Sequence, residues 1–152
     1  MTPDDLAHLQ RCVELAKEAA ERGDHPFGSV LVSNDGRVLA ERSNRVVTSG
    51  DVTAHPELHL AQWASVHLTA GERADATMYT SGEHCAMCAA AHVWAGIGRL
   101  VYVLSAEQIR AVSSAPLMIE LTATEVIERS NANVSVSGPS EELSAEAADL
   151  FQ

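Results

Sequence analysis

Thr53-Ala54-His55-Pro56-Glu57 and Ser81-Gly82-Glu83-His84-Cys85-Ala86-Met87-Cys88 are the two stretches on which the reading of this chain turns. They offer one imidazole, one carboxylate and two thiols in short motifs that can converge. An imidazole with two thiolates suits Zn²⁺, and three protein ligands leave a fourth tetrahedral position open to solvent. His55, Cys85 and Cys88 are the expected ligands. Glu57 stands two residues from His55, close enough to serve that open position without ligating. Zinc lowers the pKa of a bound water to about 7, and the hydroxide so formed needs a neighbour to carry its proton. Such a pair can attack an amidine-like ring carbon and protonate the departing amine, giving an oxo ring and ammonia.

Both motifs fall at helix starts. Pro56 is tolerated in a first turn, where its missing N–H would have no partner anyway. Leu60, Trp63, Ala64 and His67-Leu68 continue a helical pattern to Gly71, and Ala86 to Ala95 forms a small-residue helix ended by Gly96 and Gly98. The positive end of each helix favours thiolate over thiol. Ala76-Thr77-Met78-Tyr79-Thr80 reads as a strand leading into the second motif, and Leu100-Val101-Tyr102-Val103-Leu104 as the clearest buried strand.

Upstream, Thr2-Pro3-Asp4-Asp5 opens an amphipathic helix over 3–22 that Gly23 stops. Residues 27–32 and 38–40 read as two strands joined at Asn34-Asp35-Gly36, followed by a polar loop from Ser43 to Val52 with Asn44 near its start. Downstream lie a short helix at 106–112, a helix from the capping box Thr122-Ala123-Thr124-Glu125 to Asn131, a strand at 134–136 and an acidic helix at 141–151. This order predicts one α/β domain over 1–152, a single sheet covered by helices on both faces, with its fourth and fifth strands parallel.

Ten Lys and Arg against 21 Asp and Glu give a net charge of −11. A polynucleotide or anionic-membrane partner requires a basic face that this chain lacks. The first residues carry neither a basic nor an apolar leader segment, and no apolar run reaches the roughly 18 residues of a membrane span. Two of three cysteines form a C-x-x-C, which suits metal binding in a reducing compartment, so a cytoplasmic address is expected. Cys12, on a helical face, reads as a small buried hydrophobe.

His55-Pro56-Glu57 with His84-Cys85-Ala86-Met87-Cys88 resembles the H-x-E and P-C-x-x-C signature of the zinc-dependent cytidine/deoxycytidylate deaminase superfamily. Pro26 to Val32 looks like that family's first strand. Asn44, Asp51 to His55 and Trp94-Ala95 resemble the nucleobase branch, which includes guanine deaminase. The resemblance implies a three-layer α/β/α cytidine-deaminase-like fold with a central five-stranded mixed sheet, and a homodimer. It implies that His55, Cys85 and Cys88 hold Zn²⁺, that Glu57 is acid and base, and that Asn44 bonds the ring edge. Phe27 and Trp94 would complete the pocket, and His84, which is not carried over from the family, is a further candidate for substrate contact. The expected substrate is a free nucleobase or nucleobase-like ring: a guanine-type purine, cytosine or isocytosine, or an aza or triazine analogue.

The family's Ala within H-A-E is Pro56 here, and its Pro before the first Cys is His84. Glu141 or Glu142 stands as a candidate acid from the tail. Three rival readings remain: a nucleoside or tRNA deaminase, a closed structural zinc site with His59 or His92 as fourth ligand, and a C-x-x-C redox pair.

Overall fold

A computed structural model describes residues Met1–Gln152. Its first helix, α1 (Pro3–Glu21), begins as a reciprocal cap: the Thr2 hydroxyl accepts from Asp5 N–H at 3.1 Å, and the Asp5 carboxylate accepts from Thr2 N–H at 3.0 Å. Strands β1 (Gly28–Val32) and β2 (Val38–Ser43) form a hairpin in which Gly36 takes φ +87°, a conformation glycine adopts without a Cβ penalty. β3 (Thr77–Gly82), β4 (Arg99–Leu104) and β5 (Ser135–Ser137) complete a five-stranded sheet in the order β2-β1-β3-β4-β5. β1 runs antiparallel to both neighbours, whereas β3, β4 and β5 are mutually parallel, so the sheet is mixed as expected.

Strand alternation divides the core. Val30, Val32, Tyr79, Val101 and Val103 face α1 and the C-terminal helix α8 (Ser144–Asp149), against Leu9, Cys12, Val13 and Ala147. Leu31 and Met78 face the other way, onto Leu60, Ala61 and Ala64 of α3 (Pro56–His67) and the end of α5 (Ala86–Ala95). Leu100 and Tyr102 meet Ala89 of α5 with Ala123 and Ile127 of α7 (Ala123–Glu128). Helices therefore cover both faces. Gly28 lies so close to α1 that a Cβ there would stand 2.5 Å from the Cys12 carbonyl oxygen and from Leu15 Cβ.

Three local differences from the sequence reading have plain causes. The polar segment after β2 contains a short helix, α2 (Val46–Ser49), where Asp24 accepts from both the backbone N–H and the hydroxyl of Thr48. Beyond Leu68 the chain restarts as α4 (Ala70–Ala74), because Thr69 and Glu72 form another reciprocal cap. β2 runs to Ser43, three residues past the expected end, because it stays paired with β1 as far as Gly28. Helix α6 (Ala106–Val112) forms where expected.

Candidate active site

His55 is the N-cap of α3 and Cys85 the N-cap of α5, and the two helices pack side by side at the ends of β1 and β3. Cys88, in the first turn of α5, comes round to the same side. His55 Nδ1 lies 3.5 Å from Cys88 Sγ and 3.7 Å from Cys85 Sγ. All three ligand atoms fall within 4.8 Å of one another. Zinc–sulfur and zinc–nitrogen bonds of about 2.3 and 2.0 Å at a tetrahedral angle place S and N about 3.5 Å apart, so the trio fits that ion. A hydrogen bond from the Cys88 thiol, helped by His55, holds the Cys85 thiol well below its ordinary value. The same contact with Cys85, together with burial, pushes the Cys88 thiol up. His55 is raised, first by its contact with Cys85.

Neither His59 nor His92 joins this group. His92 has both nitrogens engaged: Nδ1 lies 3.0 Å from His84 Nε2, and Nε2 lies 3.1 Å from the Ile97 carbonyl oxygen. Burial lowers His92 to about 4 and His84 well below its ordinary value, so both rings are neutral. The carbonyl can only accept, so His92 Nε2 carries the proton and its bare Nδ1 accepts from His84 Nε2–H. His84 Nδ1 is left buried without a partner.

Glu57 is 6% exposed, and burial raises its carboxyl from 4.5 to about 7. The Ser29 hydroxyl lies 3.5 Å from its Oε1 and is itself bonded to Thr80 at 2.8 Å, and the Cys88 thiol stands on its other side. A carboxylate tuned near neutrality beside a metal trio is suited to carrying protons both ways. A cavity of about 150 Å³ opens over these groups, lined by Phe27, Asn44, His55, Pro56, Glu57 and Glu83 among others. An open cavity of that size can admit a small flat heteroaromatic molecule.

Asn44 is buried, and its Oδ1 accepts from Val46 N–H at 2.9 Å, which leaves Nδ2 as its free donor. Its position rests on residues that the sequence reading passed over. Arg22 donates to the Asn44 carbonyl oxygen at 2.9 Å and to Asp24 at 3.1 Å, and Asp24 in turn caps α2. Arg22-Gly23-Asp24 at the helix end was the available signal. Phe27 lines the cavity and meets Phe151 edge-on at 5.4 Å. His84 also lines it, though Nε2 is turned to His92. The structure does not bring Trp94 there: it is 86% exposed, on a separate groove between α3 and α5. Glu141 and Glu142 stay away as well. The outer wall comes from Ile109, Arg110, Met118, Ile119 and Leu121.

This fold and this trio define a deaminase-like site, and comparison with known proteins agrees. The chain belongs to the MafB19-like deaminase family, whose model matches residues 3–147. It is 38% identical over 112 residues to a probable cytosine deaminase of Schizosaccharomyces pombe, covering 72% of this chain and 65% of that one. It is 44% identical over 87 residues to a tRNA-specific adenosine deaminase of Agrobacterium fabrum, covering 57% of each. The solved guanine deaminase of Bacillus subtilis superposes with a TM-score of 0.60 at 36% identity, over 73% of this chain and 70% of that one. The two sequence relatives are thus matched over less than two thirds of their own length.

Proposed function

We propose that this chain is a zinc-dependent hydrolytic deaminase acting on a free nucleobase or a nucleobase-like ring, of guanine, cytosine, isocytosine or aza-analogue type. The observation that carries the reading is His55 Nδ1 facing both cysteine sulfurs beside a buried carboxylate raised to about 7. His55, Cys85 and Cys88 would hold Zn²⁺, which would supply a water acidic enough to attack at neutral pH. Asn44 Nδ2 donates to an acceptor on the ring edge, and Phe27 bounds the ring. Glu57 takes a proton from the attacking water and passes it to the ring nitrogen, then carries the second water proton to the leaving amino nitrogen. A C–O bond forms, the C–N bond breaks, and the oxo ring and ammonia depart.

Relatives named for cytosine, guanine and tRNA adenosine leave the substrate to be argued from this chain. A net charge of −11 and a cavity with Arg110 as its one Arg or Lys favour a neutral ring over an anticodon stem. A dimer is supported by α5, which has no charged side chain yet leaves Trp94 86% exposed beside Met87 and Ala91. Two copies this acidic approach most easily through a charge-free face. Keeping two thiols free for a metal suits the cytoplasm.

The test is an ammonia-release screen of purified protein against guanine, cytosine, isocytosine, aminotriazines, adenosine, cytidine and folded tRNA. Glu57→Gln should keep one zinc per chain and lose about 10²–10⁴ of the turnover. Activity on tRNA alone, or a variant as fast as wild type, overturns the reading. Sedimentation of the pure protein as a monomer would remove the dimer.

A further inference from the structure

Glu83 lies one residue beyond β3 and two before Cys85, and its carboxylate is buried without a cationic partner. Its Oε2 accepts from Ala106 N–H at 2.7 Å, and its Oε1 accepts from Ala123 N–H at 2.8 Å. Ala106 is the first residue of α6 and Ala123 the first of α7. One carboxylate thus caps two helices, and the positive ends of both offset its charge. Its own N–H donates to the Leu104 carbonyl oxygen at 2.8 Å, which locks the Glu83 backbone to β4.

Between those helices runs a strap, residues 113–121, with neither helix nor strand. It gives Met118, Ile119 and Leu121 to the outer wall of the cavity, yet Ile119 remains 68% exposed and Leu117 91% exposed. Apolar side chains poised this way have more surface to bury once a flat ring lies beneath them.

We propose that Glu83 is a positioning residue: it pins the helices at both ends of the 113–121 strap to the metal-binding turn, so that Met118, Ile119 and Leu121 close over the face of a heteroaromatic ring in the cavity. The inference rests on the deaminase reading only for the identity of that ring. The pinning stands on the two hydrogen bonds.

The experiment uses zinc-loaded, full-length protein and follows backbone hydrogen exchange in wild type, Glu83→Gln, Glu83→Ala and Ala106→Pro. A glutamine keeps one acceptor, so one helix start should lose protection, while alanine should release both. Ala106→Pro removes one donor at a first-turn position that favours proline, after a Ser105 already extended at φ −72° and ψ 161°. It keeps the Glu83 side chain and its bond to Ala123, and leaves the residues of the metal turn unsubstituted. Each variant should exchange faster at the first turns of α6 and α7 that bound 113–121, with zinc content at one per chain. For whichever ring wild type deaminates, losing one such bond should raise KM about tenfold with a smaller fall in kcat. Unchanged exchange at both helix starts overturns the proposal, and so does a loss confined to kcat. If wild type releases ammonia from no ring, the deaminase reading fails, while the exchange measurements still decide the pinning.

Discussion

Replacing Arg99 by methionine would test how much the end of the sheet opposite the metal trio depends on one ion pair. Asp5 is 2% exposed, and Arg99 donates to its two oxygens at 2.8 and 2.9 Å. Tyr79 hydroxyl donates to Asp5 at 2.7 Å, and Thr2 N–H at 3.0 Å, so α1, β3 and β4 meet on this carboxylate. Removing one partner of a fully buried pair costs about 3–5 kcal/mol, because a charge is left uncompensated. The Arg99 side chain is 32% exposed and Asp5 keeps its other two donors, so water can partly replace the guanidinium. That brings the expected loss to about 2–3 kcal/mol, or a melting point lower by about 5–10 °C for a chain of this size.

The pH dependence has a definite sign. Hydrogen bonds from Arg99 hold the Asp5 carboxyl well below its usual range. A depressed folded-state pKa contributes stability that is complete above the unfolded value of about 3.9 and is lost as pH falls toward the folded one. Thermal unfolding of wild type and Arg99→Met should therefore show a wide gap at pH 7 that narrows by pH 3. A gap of the same size at both pH values would refute the electrostatic argument and assign the cost to packing alone.

Other perturbations probe the site. At Gly82 an added Cβ would stand 2.9 Å from both Phe27 Cε1 and Ile109 Cδ1, two cavity walls. Gly82→Ala should thus cost about 1–3 kcal/mol in chemical denaturation and raise KM more than it lowers kcat. His92→Phe strips partners from His84 Nε2 and the Ile97 carbonyl oxygen, a loss of about 1–3 kcal/mol for each buried group. Zinc analysis of that variant should still find one ion per chain, and zinc lost without unfolding would make His92 a ligand after all. Chelation should abolish turnover reversibly. It should also lower stability by about 4 kcal/mol relative to zinc at a thousandfold excess over Kd, while circular dichroism keeps its folded signature.

What the sequence disclosed about the site depended on how local each determinant is. His55, Glu57, Cys85 and Cys88 were legible because each motif sits within one helix start, where spacing nearly determines geometry. Trp94 shows the limit of motif resemblance. At about 100° per residue it lies roughly 180° round the helix from Cys85, so it must face away from the ligands. His92, four residues after Cys88, falls back on the ligand side, and there it is buried. Helical arithmetic alone would have turned Trp94 outward and His92 inward.

Glu83 was illegible for a different reason. Its partners are the backbone N–H groups of Ala106 and Ala123, 23 and 40 residues away, and any residue but proline offers that donor. The strap between them has no periodicity to read, so its contribution of Met118, Ile119 and Leu121 could not be foreseen. The two departures from the family pattern in the motifs are Pro56 and His84. His84 commits Nε2 to His92 within a buried, neutral pair, and Nδ1 is its one free polar atom. The cavity's metal side is set by short motifs, whereas its outer side is set by Arg110 and an apolar strap anchored through Glu83. Chemistry common to the family needs only the first. On the deaminase reading proposed above, Asn44 meets the ring edge while ring size falls to the second, so substitutions at Met118 or Ile119 should alter the ranking of substrates while zinc content stays the same.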